Sequence, residues 1–483
     1  MTTNRNGVAM YRYPSMVGLI GFVFAIASGV ADAKDVTFHR DVVPILYRHC
    51  AECHRDGEIA PFPLMTYQDA AKRSEWIVEN VSNRRMPPWK AEPGHGDFFG
   101  ERRMNAAEIE TISAWHKAGA PEGSASDAPP APTFASGWGL GEPDVILESP
   151  HDVTVEAEGP DTFHHIVIPM GAAAGREISA VEFRPSNPRV VHHAIILVDP
   201  VGLGRERDAA TPEPGYLTGG GFGVSLSGIL TIWAPGVAAR RLPSDVAIRL
   251  PEKGDVVVQL HLHPSGKKET DRSRVGIYFS KEPAQRHIMS KPLLFGPVTI
   301  DIPAGAKAHR VETSLKLPVD LWLTAVLPHM HYLGREIDVN ATLPNGEDKS
   351  LILIRDWDFN WQDQYVYKEP VHLPAGTEVR VSAIYDNSAE NPANPRTPPQ
   401  RVVFGEETNQ EMCLAIFQAI AAGPDDSEKV RDVVLKNMMQ QIRDPAVPKD
   451  VVNNLMVPLR EIIRTELQVE LRGRLNSALP KKR

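Results

Sequence analysis

The chain has 483 residues, too many for one hydrophobic core and enough for roughly three units. Hydrophobic residues make up 42%, the share of an ordinary water-soluble protein, while 42 prolines and 36 glycines favour turns and β structure. A net charge of -9 excludes the basic footprint of a nucleic-acid-binding protein, and the one basic run is confined to residues 481–483.

Arg5 and Arg12 precede an apolar run over residues 16–30, which leads to a small-x-small site at Ala31-Asp32-Ala33. Residues 1–33 therefore read as a signal peptide and the mature protein as periplasmic or secreted. The run is shorter than the roughly 20 residues of a spanning helix, and no later stretch is apolar enough to cross a membrane. Three cysteines cannot staple an exported chain of this size, and Cys413 reads as a reduced, buried thiol.

Residues 34–124 predict a small helical unit. Apolar positions at helical spacing over residues 41–49 run into Cys50-Ala-Glu-Cys53-His54. Cys-x-x-Cys-His is the attachment signature of c-type haem: two thiols form thioethers and the histidine becomes an axial ligand. A redox pair or half a zinc site leaves the adjacent histidine unexplained, and no second cysteine pair completes a zinc site. Met86, in the stiff Arg-Arg-Met86-Pro-Pro-Trp89, is the preferred sixth ligand, with Met65, Met104 and His95 as rivals. A helix capped by Asn105 and Glu108 carries Ile109, Ile112 and Trp115 on one face and stops at Gly119. Through Glu58-Ile-Ala-Pro61 and Met86-Pro-Pro-Trp89 the unit resembles the cytochrome c-like module fused to exported oxidoreductases.

Residues 125–135 form a proline-rich linker, semi-stiff by composition. From 136 to 424 short β-branched runs alternate with turn residues and no helices intervene, which predicts antiparallel β-sandwiches. The length suggests two, at 136–297 and 298–424. The glycine-rich 215–228 reads as a loop without the Gly-Lys-Ser/Thr of a phosphate site. Residues 425–483 turn helical, with amphipathic segments at 427–442 and 452–475 that pack on the sandwiches or mediate self-association.

Histidines cluster in the β region: His164-His165, His192-His193, His261/His263 and His329/His331. Residues two apart on a strand share a face, so each His-x-His pair can serve one metal, whereas an adjacent pair needs a bulge or a strand end. Imidazole suits copper, zinc, iron and nickel, so the pattern gives imidazole-rich metal sites without naming the metal.

Four segments, in order, resemble the copper type II, ascorbate-dependent monooxygenases, such as the peptidylglycine α-hydroxylating and dopamine β-hydroxylating enzymes. They are Val191-His192-His193-Ala-Ile-Ile-Leu, Val258-Gln-Leu-His261, His329-Met-His331-Tyr-Leu-Gly334 and Glu411-Met412-Cys413. The resemblance covers roughly 136–420 and excludes the haem unit. It implies two β-sandwich domains, each with one copper, facing each other across a cleft. His192, His193 and His261 would bind an electron-transfer copper, and His329, His331 and Met412 the copper that activates O2. A thioether favours Cu(I). His263, on the same face as His261, is a rival as ligand or neighbouring base.

Two departures narrow the expected substrate. The peptide-hydroxylating member has an arginine two residues before the first histidine of His-x-His, where this chain has Leu327, and polar residues after the methionine, where this chain has Leu414 and Ile416. A pocket without that charge-assisted anchor does not select a peptide carboxylate, which leaves a fairly apolar small molecule. The expected activity is C–H hydroxylation with O2, its electrons entering through the haem from an ascorbate-like reductant or a periplasmic redox protein. A haem/copper electron-transfer or copper-binding protein is the alternative. A zinc hydrolase at His261/His263 ranks last for want of a His-Glu-x-x-His motif.

Overall fold

A computed structural model describes residues 36–134, 137–218, 224, 228–423 and 426–478. The signal-peptide reading at 1–33, most of the glycine-rich stretch and the terminal basic run lie outside the described residues. What is described is β-rich, with several sheets and few helices. No helix among the described residues is long and apolar enough to cross a membrane.

The N-terminal helical unit begins with a π turn, Phe38–Val42, that runs on as the helix Val43–His49, with Pro44 tolerated in its first turn. Helices Tyr67–Ala71, Ser74–Ser82 and Ala106–Lys117 complete it. The last is fixed by a capping box: Asn105 Oδ1 accepts the Glu108 N–H and Glu108 Oε2 accepts the Asn105 N–H, each at 2.9 Å. Ile112 and Trp115, three apart, face inward with Phe38 and Leu46. Beyond the helix, Gly119 takes φ +84°, the left-handed conformation that lets the chain turn away.

Two pairs of sheets follow. In the first pair, strands Val145–Glu148, Arg274–Phe279, Glu177–Arg184, Val246–Arg249 and Arg286–His287 form one sheet. The other runs Tyr216–Thr218, Thr162–Pro169, Asp255–Leu262, Val191–Asp199, Ile229–Trp233. Ile166, Ile196 and Val258 from one sheet meet Ile178, Val275 and Ile277 from the other in a shared core. Strand Asp255–Leu262 is buried at every residue. Its outer face is covered too, by an apolar patch with Val167, Leu197 and Leu203, which accounts for its nearly continuous apolar run.

In the second pair, Leu293–Phe295, Cys413–Ala421, Leu321–Met330 and Tyr365–Leu373 face His309–Lys316, Glu378–Tyr385, Gly334–Thr342 and Asp348–Ile354. Leu323 and Phe417 meet Ile337, Val339 and Val381 in its core. Leu293–Phe295 pairs with residues 415–417, and Met289 N–H already bonds Ala419 O at 2.8 Å. The second unit thus begins near 288, ahead of the composition break at 298.

Residues 89–99 leave the helical unit and lie on the second sandwich. Ala91 bridges Ile354, Phe98 bridges Tyr367, and Lys90 pairs with Asp356 at 2.9 Å. The proline-rich linker is therefore not the only tether of the helical unit. Helix Asp426–Ile442 buries Val430 in the second core. Helix Lys449–Ala478 bridges both sandwiches: Leu455 joins the second core, while Arg472 forms a two-pronged pair with Glu206 of the first, at 2.6 and 2.9 Å.

Candidate metal centres

His193 and His261 are direct cross-strand partners, and a bulge at His192 breaks the register between Val191 and His193. The bulge turns His192 to the same side as its neighbour, as bulges beside functional sites do. The three Nδ1 atoms then stand 3.4, 3.2 and 3.3 Å apart. The centre of such a triangle lies about 1.9 Å from each nitrogen, close to metal–imidazole bond lengths of about 2.0 Å. Without a metal these nitrogens can share hydrogen bonds whose direction depends on the tautomers, and the arrangement also fits a bound metal ion.

Surrounding groups fix the rings. His261 Nε2–H donates to Asp161 Oδ2 at 2.7 Å, which leaves Nδ1 as the free lone pair. The other Asp161 oxygen takes His263 Nδ1–H at 2.7 Å, so His263, two-thirds exposed, braces the carboxylate and stays out of the triangle. The bond from His261 holds Asp161 at about 2 against the pull of partial burial. Phe163 stacks on the His261 ring, 4.5 Å between centroids. Burial, then the charge of His261, brings His192 down to about 4; burial, then the neighbouring rings, holds His193 well below its ordinary value. His164 and His165 lie outside the triangle; His165 stacks on Tyr216 and takes a bond from Gln259.

His329 is the penultimate residue of the strand Leu321–Met330 and His331 follows its end. Their Nε2 atoms are 3.2 Å apart. Each Nδ1–H is engaged elsewhere, His329 with Gln362 Oε1 at 2.5 Å and His331 with the Gln410 carbonyl at 3.0 Å. Both Nε2 lone pairs are thereby aimed at one point, as two ligands need. The ladder pairs His329 with Leu414 and Met330 with Cys413. Met412, the residue before Cys413, is half-buried and packs against the core of the second sandwich, with its carbonyl accepting from Tyr385 Oη at 2.6 Å. Buried Glu411 accepts the N–H groups of His331 at 2.9 Å and Leu333 at 2.6 Å, pinning the backbone at the histidine pair. Burial brings His329 down to about 3 and lowers His331 as well.

The two clusters are near enough for the charge of His329 to add to the depression of His193. Residues 357–364 line both. Trp357 Nε1–H donates to the His331 carbonyl at 3.0 Å, Phe359 packs on Tyr332, Asn360 offers its carbonyl to the His192 ring, and Gln362 holds His329. Leu327 reaches from the second sandwich onto the apolar outer patch of the first. A cleft of about 20 Å³ there is lined by Ile229, Ile232, Leu327 and Ile416, with Gln364 and Gln418 as its polar members. A cavity of about 650 Å³ adjoins it, sharing Ile232, Gln364 and Gln418.

At the helical unit, Cys50 caps the helix Val43–His49 and accepts the His54 N–H at 2.8 Å. Burial, then the charge of Cys53, pushes the Cys50 thiol up to about 12. His54 is buried and donates Nδ1–H to the Phe62 carbonyl at 3.0 Å, so Nε2 keeps a free lone pair, the state an axial ligand requires. Both thiols are free and the chemistry of the trio fits covalent haem. Met86 and Met65 are half-buried, and Met104 lies in the core of the unit. His95 is drawn onto the second sandwich by a bond to Ser350 Oγ at 2.8 Å.

Sequence reasoning did not single out Asp161, Gln362, Gln410, Arg102 or Asp363. Their partners lie far along the chain: Asp161 is 100 residues from His261 and Arg102 is 261 residues from Asp363. Only the pairing of Thr162–Pro169 with Asp255–Leu262 carries Asp161 to its histidines.

No family model and no curated protein matches the chain. Among solved structures it is similar to PNGF-II, with 11% identity, a TM-score of 0.26 and coverage of 57% of this chain and 65% of that one. It is also similar to the major capsid protein P2 of bacteriophage PM2, with 8% identity, a TM-score of 0.24 and coverage of 57% and 97%. Likenesses this slight carry no argument about fold or activity.

Proposed function

We propose that the chain is a copper-dependent monooxygenase that hydroxylates a C–H bond of a fairly apolar small molecule with O2, its electrons arriving through a covalently bound c-type haem. One observation carries the reading: the fold gathers three Nδ1 atoms 3.2–3.4 Å apart in the first sandwich and two Nε2 atoms 3.2 Å apart in the second. Two imidazole clusters of unlike composition, one of three histidines and one of two, are consistent with the two-copper pattern that the four segments' resemblance implies, in which Met412 would complete the second site.

Copper in these sites would supply one-electron chemistry and O2 binding, and the haem an entry point for electrons. The protein supplies the rest. Asp161, Gln362 and the Gln410 carbonyl hold His261, His329 and His331 in the tautomers that present their lone pairs. Glu411 fixes the backbone beneath His331. Phe163 and Phe359 shield the rings from water.

Leu327 and Ile416 line an apolar seam between the sandwiches with Ile229 and Ile232, and the preference for a substrate without a carboxylate rests on Leu327 standing where the resemblance has an arginine. The adjoining cavity, about 650 Å³, is of ligand-pocket size, but its lining includes Cys53 and Gly236 and none of the candidate copper ligands. The test is metal and haem content together with O2 uptake in the presence of a reductant. Two coppers per haem and uptake matched by product support the enzyme. Copper binding without uptake across a wide panel of apolar substrates supports an electron-transfer protein instead.

A further inference from the structure

The haem unit meets both sandwiches at Arg102. Its Nη1 donates to the Gly236 carbonyl of the first sandwich at 2.6 Å. Its Nη2 donates to Asp363 of the second at 2.7 Å and to Pro88 O at 3.1 Å. Arg102 and Asp363 are each less than a fifth exposed. Cys53 Sγ and Arg102 Nη1 both lie within 3.0 Å of the point where a Cβ on Gly236 would stand, so a side chain there would wedge them apart. On the far side, Asp363 follows Gln362, whose Oε1 accepts from His329.

We infer that Arg102 and Asp363 form the bridge by which an electron from the haem at Cys50, Cys53 and His54 reaches the His329/His331 centre first, ahead of the three-histidine centre. The inference rests on the haem and copper reading above. The path consists of one gap, where Cys53 Sγ and Arg102 Nη1 flank Gly236, then one ion pair, one peptide link and one hydrogen bond. Its rival starts at Gly236, follows the chain back to Trp233, crosses the ladder to Ala194 and then reaches His193. That route has more links, and electron transfer weakens with each added bond and each gap. In the step itself one electron leaves ferrous iron, which becomes ferric, and Cu(II) becomes Cu(I); no bond or proton moves. An external one-electron reductant restores the haem.

Arg102 also helps to dock the unit, but docking has other supports in Lys90–Asp356 and His95–Ser350. What sets Arg102–Asp363 apart is its place between Cys53 and Gln362.

The experiment mixes the full-length protein, its haem reduced and its copper oxidised, without O2, and follows haem oxidation by rapid-mixing absorbance and copper by electron paramagnetic resonance. His261→Ala, which dismantles the three-histidine centre, should keep the fast haem oxidation, and His331→Ala should lose it. Asp363→Leu should slow the fast phase roughly tenfold, the lower end for loss of a group that supports a metal ligand. Asp363→Asn, which still accepts from Arg102, should restore most of it. Limited proteolysis across residues 89–104 reports whether the unit stays docked. If Asp363→Leu undocks it or fails to fold, the pair of histidine variants decides alone. A fast phase lost in His261→Ala and kept in His331→Ala would overturn the inference, as would a wild-type rate in a docked Asp363→Leu. A chain that takes up no haem or no copper fails earlier, at loading, and sinks the proposed function instead.

Discussion

Replacing Asp161 with asparagine removes a charge 2.7 Å from His261 Nε2 and leaves the three Nδ1 atoms in place. The structure holds the Asp161 carboxyl at about 2, against an ordinary 3.8. Taken whole, that difference corresponds to about 2.4 kcal/mol. Asp161 is 41% exposed, and solvent screening cuts the figure to about 1 kcal/mol. His263 contributes to the same depression, but a bound metal makes the His261 N–H a stronger donor, which works the other way. Copper affinity at the three-histidine site should therefore fall about five- to tenfold, near the low end for such outer partners. The sign fixes the pH window. A depressed carboxylate contributes fully above 3.8 and loses its contribution as the pH falls toward 2, so the loss should be constant from pH 5 to 8. Competition against a chromophoric copper chelator measures it. Unchanged affinity, or an equal loss at the His329/His331 site, would refute the reasoning.

Three further outcomes are expected. Met412→Ile should abolish O2 uptake while leaving the haem spectrum intact, and retained turnover would remove Met412 from the site. Leu327→Arg should lower stability by about 2–4 kcal/mol, because it pushes a charge against the apolar seam between the sandwiches; thermal unfolding reads this, and the unsubstituted protein should leave glycine-extended peptides unhydroxylated. His165 is held at about 4 by burial, against 6.5 when unfolded, so its contribution is full above 6.5 and fades as the pH falls through that range. Urea unfolding should accordingly lose about 2 kcal/mol between pH 7 and 5 from this group, and His165→Phe, which keeps a ring against Tyr216, should lack that share.

What could be read from the sequence was mostly local. The period of a strand puts His329 and His331 on one side, and the capping box starts the helix Ala106–Lys117 at Asn105. Turn-rich composition with short β-branched runs announced a β-rich chain. The adjacent pair His192-His193 was different, because it needs a bulge and a bulge has no residue signature here. The start of the second sandwich was placed late because Leu293–Phe295 is ordinary β sequence whose partner lies some 120 residues away, at 415–417. Residues 89–99 adjoin the helical unit in sequence, yet Ala91 and Phe98 bury themselves in the second sandwich's core. Such contacts are decided by which surfaces meet, and nothing local encodes them. The same holds for Gln362, an unremarkable loop residue until the fold sets it beside His329.

The most direct test of the oxygenase reading is to supply isotope-labelled O2 to protein reconstituted with two coppers and one haem, together with a reductant and a panel of apolar substrates, and to weigh the products. One labelled oxygen atom per product molecule, absent when His331 or Met412 is replaced, is the predicted result. Full metal and haem loading with no labelled product above the level of free copper would contradict it.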